Sequence, residues 1–124
     1  MDFELRIGQA SDTGRVRRYN EDFVESVVPA DETTLRDKGA LFLVADGMGG
    51  HRAGGVASRE AVQSVMKEYY ANTDLSLEES LVQAFERANK AVFELAQEDE
   101  DKAGMGTTLV AAVLLGRRLL IANV

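Results

Sequence analysis

The fold of this chain is decided by the stretch Ala40-Leu41-Phe42-Leu43-Val44-Ala45-Asp46-Gly47-Met48-Gly49-Gly50-His51, in which an apolar run of strand length ends on a carboxylate. Residues 41–45 contain no polar side chain, so we predict a strand that is buried on both faces. Asp46 would then stand at the end of a rigid element and point into a glycine-rich loop. Glycines let the backbone approach a bound group closely, which favours an ion or phosphate site. The alternative is an ordinary turn whose backbone amides satisfy Asp46.

The composition indicates one globular domain over residues 1–124. Of the 124 residues, 45% are hydrophobic, and only one is proline, which is unlike a disordered chain. The absence of cysteine excludes disulfides and thiolate metal sites and suits a reducing compartment, so we expect a cytoplasmic protein. A net charge of −7 argues against a nucleic-acid partner. We see neither a signal peptide nor an apolar run long enough to cross a membrane.

Strand-like patterns lie on both sides of the opening stretch. Residues 3–10 alternate loosely, residues 23–28 form a second short strand, and residues 30–39 are interpreted as a polar loop. Because no helix is expected between them, the first strands should form an antiparallel meander. Residues 109–115 are an uninterrupted apolar run, again predicted to be a buried strand, and residues 119–124 begin another.

Two helices are predicted between the third strand and the late strands. Residues 53–70 repeat apolar positions at a spacing of four, and residues 77–97 repeat them at three and four. Ser76 and Glu79 fit a capping box at the start of the second helix. Its apolar stripe is wide enough to cover a sheet face, and residues 98–101 are interpreted as a solvated acidic loop.

A second group of charged residues, Arg17, Glu21 and Asp22, could form a site together with Asp46. If the first strands pair, Glu21 and Asp22 would lie near Asp46. Two carboxylates about 4 Å apart repel by about 4 kcal/mol at an effective dielectric near 20, so such a cluster needs raised pKa values or a cation. Oxygen ligands with no cysteine favour Mg²⁺ or Mn²⁺ over Zn²⁺. A nearby Arg17 could grip a phosphate with two parallel hydrogen bonds.

Other site motifs do not fit the glycine-rich loop. It lacks the Gly-Lys-Ser/Thr ending of a P-loop, and Arg52 stands where a dinucleotide fingerprint needs its third glycine. A Ser-His-Asp triad would have to use His51, the sole histidine, and no nucleophile elbow is present. A lone histidine beside a helix start is more often a local hydrogen-bonding residue.

Three motifs, taken in order and spacing, resemble a known family. They are Ser11-Asp12-x-Gly14-x-x-Arg17-x-x-Asn20-Glu21-Asp22, then Val44-Ala45-Asp46-Gly47-Met48-Gly49-Gly50-His51, then Gly106-Thr107-Thr108. Together they resemble the metal-dependent protein serine/threonine phosphatases of type 2C, in their bacterial form. The resemblance covers essentially the whole chain.

The resemblance implies an α+β fold and a hydrolytic activity. The fold would be an antiparallel β-sandwich flanked by helices, a four-layer αββα arrangement of which this chain is the N-terminal half. The activity would be hydrolysis of phosphoserine or phosphothreonine on proteins by a water that two divalent cations, Mn or Mg, activate. Asp46 would be catalytic and bridge both metals, and the carbonyl of Gly47 would bind one. Glu21 and Asp22 would orient metal-bound waters, and Arg17 would clamp the substrate phosphate.

Two departures from the family pattern limit this expectation. Met48 stands where animal members carry a histidine proposed as general acid, so protonation of the leaving group is unassigned. The family's Gly-Asp-Ser-Arg motif and its later aspartates do not follow Val124 here. We therefore expect an incomplete phosphatase domain that is inactive or nearly so and binds metal weakly. A last strand without a partner would favour dimerisation or strand exchange.

A second hypothesis is a non-catalytic phosphopeptide-binding or scaffolding module on the same fold. In both cases the implied partners are phosphorylated proteins, with a serine/threonine kinase acting on the same substrates.

Overall fold

The structure, a computed structural model, describes residues 4–49 and 52–124. Its elements are β1 (Asp22–Val27), α1 (Glu32–Lys38), β2 (Ala40–Met48), α2 (Ala53–Ala71), α3 (Leu77–Glu98), β3 (Gly106–Leu115) and β4 (Arg118–Asn123), with a 3-10 turn at Glu100–Lys102. The four strands form one antiparallel sheet in the order β1-β2-β3-β4. The α+β class is confirmed, and the described residues contain this single sheet. None of the described helices is long and apolar enough to span a bilayer.

The predicted strand at residues 41–45 is confirmed, but its burial on both faces is wrong. Leu41, Leu43 and Ala45 are at most 1% exposed, whereas the intervening Val44 is 54% exposed. The same alternation of buried and exposed residues occurs along β3, where Val110 lies on the exposed face of the sheet. The reason is that the described helices pack on one face of the sheet only.

Helices α2 and α3 form two layers on that face. Helix α2 packs directly against β1, β2 and β3, while α3 packs mainly against α2. Both helices match the sequence prediction closely, and the capping box of Ser76 and Glu79 is present. The apolar stripe of α3 packs into the core, but it does so mainly against α2, whose small residues Ala57 and Ala61 fill the contact with the strands.

The predicted strand at residues 3–10 is wrong over the described residues 4–10, which form no regular element. Phe3 lies outside the described residues. A strand needs a hydrogen-bonding neighbour, and no strand pairs with this segment among the described residues. The segment instead lies exposed beside β1, where the Ser26 hydroxyl donates to Gln9 Oε1 at 2.9 Å.

The polar loop predicted at residues 30–39 is also wrong, because α1 occupies most of it. Asp31 accepts a hydrogen bond from the Thr34 amide at 3.0 Å and so caps the helix. Gly39 ends the helix with a φ of +78°, in the region that favours glycine. A helix therefore separates β1 from β2, although the two strands still pair antiparallel.

Candidate functional site

The two acidic motifs meet where β1 begins and β2 ends. Asp22 lies directly opposite Asp46 in the strand register. The Gly47 amide donates to the carbonyl oxygen of Glu21 at 3.0 Å. The predicted proximity of Glu21 and Asp22 to Asp46 is therefore confirmed, and it follows from the antiparallel pairing of the two strands.

The glycines of the opening stretch permit a close contact between this pair of strands and the first turn of α2. A Cβ at Gly47 would clash with the carbonyl oxygen of Gly54 and stand 2.6 Å from that of Glu21. A Cβ at Gly54 would clash with Oε1 of Glu21. Neither glycine has a positive φ in the range that excludes side chains, so the requirement is one of space.

The carboxylates of the site are crowded and only partly neutralised. Partial loss of solvent around the Asp22 carboxyl, followed by contact with the Asp46 carboxyl, raises the pKa of Asp22 above its ordinary value of 3.8, and the nearby Arg17 opposes this. Arg17 Nη1 lies 3.6 Å from Glu21 Oε2. The other oxygen, Glu21 Oε1, is buried and accepts no hydrogen bond from the described part of the chain. A buried acidic oxygen without a donor is suited to a cation.

Two residues to which the sequence analysis gave no role fix the geometry of these loops. The Thr108 hydroxyl lies on β3 opposite Asp46 and accepts from the Asp46 amide at 3.2 Å. Asn20 Oδ1 accepts from the Asp22 amide at 3.0 Å, and its Nδ2 donates to Ser11 Oγ at 2.8 Å. Asn20 stands directly before Glu21 and Asp22 in its motif, and this position was the available signal for its role. The motif Gly106-Thr107-Thr108 contains no acidic residue, so it gave no such signal for Thr108.

The described residues do not form a complete metal cage. Within residues 4–49 and 52–124, no three histidine, aspartate or glutamate side chains converge closely enough to hold a metal ion. Gly50 and His51, which belong to the predicted glycine-rich loop, lie outside the described residues. The structure thus brings Asp22, Asp46, Glu21 and Arg17 together, and the roles given to them stay predictions.

The sequence of this chain is similar to those of known protein phosphatases. A family model for protein phosphatase 2C matches residues 20–124. The serine/threonine phosphatase stp of Listeria innocua is 39% identical over 118 residues, which are 92% of this chain and 44% of that protein.

Solved structures give the same result. The serine/threonine phosphatase PstP/Ppp of Mycobacterium tuberculosis is similar with a TM-score of 0.73 and 34% identity, over 93% of this chain and 44% of that one. The catalytic domain of PstP in complex with two manganese ions is similar with a TM-score of 0.73 and 34% identity, over 93% and 45%. The chain therefore spans less than half the length of these relatives.

Proposed function

Because the chain belongs to the protein phosphatase 2C family, we propose that the protein containing it hydrolyses phosphoserine and phosphothreonine on other proteins with two divalent cations. The observation that supports this best is the meeting of Asp22 and Asp46 across β1 and β2, beside Glu21 and Arg17. Since the chain spans 44% of the Listeria relative, the activity is proposed for the whole protein that contains it.

The residues present fit a hard divalent cation in their chemistry. Asp46 and Asp22 present carboxylates in contact, and Glu21 Oε1 is buried without a donor. With the carbonyl of Gly47, these groups would hold Mn²⁺ or Mg²⁺, which prefer oxygen ligands. A six-coordinate ion needs more oxygens than this set provides, so we expect weak affinity in the chain alone. When bound, the cations would supply an activated water and neutralise charge on the phosphoryl group.

The chain's own side chains orient and bind the substrate. Arg17 is largely exposed, and its 3.6 Å approach to Glu21 engages one end of the guanidinium. The remaining N–H groups can grip a phosphate in the planar, two-bond geometry that arginine provides. Thr108 holds the backbone of Asp46 in place through its hydroxyl. Glu21 would thus both orient Arg17 and contribute charge for the cation.

A manganese titration tests the metal part of the proposal. We expect calorimetry to show binding to the chain and a loss of affinity of at least tenfold in Asp46→Asn. Asp74→Asn, an exposed aspartate in the loop between α2 and α3, is the matched control. Unchanged affinity in Asp46→Asn would contradict the assignment.

Hydrolysis of a phosphoserine peptide tests the activity. We expect the full-length protein to turn over with Mn²⁺ and the 124-residue chain to be inactive or nearly so. Arg17→Ala should lower kcat/KM of the full-length protein by at least tenfold because the phosphate loses its clamp. Equal activity of the two proteins would show that the chain needs no metal-binding residues from the rest of the full-length protein.

A non-catalytic phosphopeptide-binding module is the second candidate. It is favoured by the lack of three converging acidic side chains among the described residues. Peptide binding that persists in EDTA and is lost in Arg17→Ala would support it. Peptide binding that requires Mn²⁺ would exclude it.

Partners and location complete the proposal. The phosphoprotein substrates would be those of a serine/threonine kinase in the same compartment, which we propose to be the cytoplasm. Strand β4 lies at the edge of the sheet, and Leu119 and Ile121 are each 61% exposed. This edge supports dimerisation or strand exchange, and a monomer by light scattering at high concentration would contradict it.

A further inference from the structure

A cavity of about 440 Å³ opens beside the candidate site. One wall is the segment that contains Tyr19, Asn20 and Asp22, and the other is a face of α2. Because Asp22 contributes to both the cavity and the carboxylate cluster, a ligand in the cavity would be adjacent to a phosphate held by Arg17. The cavity is therefore placed to contact substrate beyond the phosphoryl group.

The cavity walls carry guanidinium groups held against aromatic rings. Arg59 lies on α2 and Arg52 directly precedes the helix, seven residues earlier, and both line the cavity. The Arg59 guanidinium lies 4.7 Å from the centre of the Phe23 ring, and that of Arg52 lies 5.4 Å from the centre of the Tyr19 ring. Arg18 approaches the same tyrosine ring at 5.8 Å. Stacking orients a guanidinium but leaves its N–H donors available.

These guanidinium groups are not in direct ion-pair contact with a carboxylate of the described residues. In the part of the chain that the structure describes, Arg18, Arg52 and Arg59 form no ion pair within 4 Å. Two carboxylates, Asp22 and Glu60, also line the cavity, and the acidic turn at residues 99–101 lies on the other side of Arg52. In a chain of net charge −7, arginines that form no ion pair with the described residues stand out against the general charge.

We propose that this cavity is a second oxyanion subsite, which binds an acidic group of the phosphoprotein substrate near the phosphorylated residue. The acidic group would be a carboxylate or a second phosphate, since both match the planar donors of arginine. An extended peptide advances about 3.3 Å per residue, so a group two or three residues away lies roughly 7–10 Å from the phosphoserine. The proposal rests on the proposed function and adds a preference for acidic substrates.

Binding of three labelled phosphoserine peptides to the 124-residue chain in Mn²⁺ tests it. The peptides carry glutamines, glutamates or a second phosphoserine at the second and third positions after the first. We expect the two acidic peptides to bind about fivefold or more tightly than the glutamine peptide, as expected for a partly exposed ion pair. The ratio between the glutamate and phosphoserine peptides tells which oxyanion the subsite favours.

The ratio of acidic to neutral affinity identifies the residues. It should fall to near one in Arg59→Gln and in Arg52→Gln, and it should persist in Arg117→Gln, an exposed arginine of the β3–β4 turn. Arg52 is exposed, so its variant is expected to fold even if Arg59→Gln does not. No preference in the unchanged chain, or the same preference in both variants, would overturn the proposal.

Inorganic phosphate separates failure of this subsite from failure of the proposed function. In metal-free protein, we expect the Nε–H resonances of Arg52 and Arg59 to shift and saturate with phosphate. If no phosphopeptide binds and full-length protein does not hydrolyse it, the phosphatase proposal fails. Saturating shifts would then still support an oxyanion subsite, while their absence would overturn it as well.

Discussion

The two ends of strand β2 differ in whether the polar groups around them are paired by hydrogen bonds. Just before its start, the buried Lys38 donates from Nζ to the Asn72 carbonyl at 2.6 Å and to Ser80 Oγ at 3.1 Å. The same ammonium lies 4.3 Å from the centre of the Tyr69 ring. At this end, polar atoms from α1, α2 and α3 are paired, and the pairing joins the helices to the sheet.

The far end of β2 leaves acidic oxygens unpaired. Glu21 Oε1 is buried without a donor among the described residues, and the Asp22 carboxyl lies against that of Asp46. Such a cluster costs stability unless a cation is present. The polar groups at the start of β2 therefore stabilise the fold, whereas the far end is held by close backbone packing and leaves its acidic groups available for binding.

Replacing Gly47 by alanine tests the backbone packing and should have the largest effect. The new Cβ would clash with the carbonyl oxygen of Gly54 and lie too close to that of Glu21. Both are backbone atoms, which cannot move aside as a flexible side chain could. We expect a loss of about 3 kcal/mol or more in the free energy of unfolding, measured by urea denaturation.

Gly8→Ala is the matched control, because nothing lies within 4 Å of the position that its Cβ would take. It should change stability by less than about 0.5 kcal/mol. A Gly47→Ala protein as stable as the control would show that the far end does not depend on this close approach.

Replacing Lys38 by methionine tests the paired end. The change keeps most of the side-chain volume but leaves the Asn72 carbonyl and the Ser80 hydroxyl without their donor. We expect a loss of about 2 kcal/mol in the free energy of unfolding. Lys67→Met on the exposed face of α2 should have little effect, and equal losses in the two variants would remove the structural role given to Lys38.

The stability of the protein at alkaline pH tests the start of β2, because two tyrosines lie there. Burial, with the charge of Glu78, raises the pKa of Tyr69 from 10.0 to about 12, and burial raises that of Tyr70 as well. The contribution of Tyr69 to stability is therefore complete below pH 10 and is lost as pH rises from 10 to 12, and that of Tyr70 begins to be lost over the same range. Burial lowers the pKa of Lys38 below 10.5, which acts in the opposite direction as pH approaches 10.5.

We expect the free energy of unfolding to hold up to about pH 10 and then to fall steeply. The Tyr70→Phe variant should fall less steeply over the same range, because its hydroxyl no longer titrates. An identical slope in the variant and the unchanged protein would contradict the assignment.

Much of this architecture could be predicted from local patterns. Strand β2 followed from its apolar run, and α3 followed from its periodicity and the capping box at Ser76. The proximity of Asp22 to Asp46 followed from pairing two neighbouring strands. These features depend on residues that are close in sequence or on a single strand contact.

The features that could not be predicted depend on distant partners. Whether residues 4–10 form a strand depends on a neighbouring strand, and whether Val44 is buried depends on a second layer. The hydrogen bonds that Lys38 makes near α2 and α3 produce no periodic pattern in the sequence. Helix α1 is different, because Asp31 and Thr34 gave a capping signal, but a helix with Leu35 as its one apolar residue shows no apolar periodicity.

Replacing Asp22 by asparagine should have the smallest effect and the opposite sign. It removes one of two carboxylates in contact, so the metal-free protein should gain up to about 0.5 kcal/mol, since Asp22 is exposed and its repulsion is screened. Stabilisation by Mn²⁺, measured as a shift in Tm, should be smaller than in the unchanged protein because one oxygen ligand is weakened. Asp74→Asn should change neither quantity. A loss of 1 kcal/mol or more in metal-free Asp22→Asn would mean that this carboxylate has structural partners, as Lys38 has, and the two ends of β2 would then no longer differ in kind.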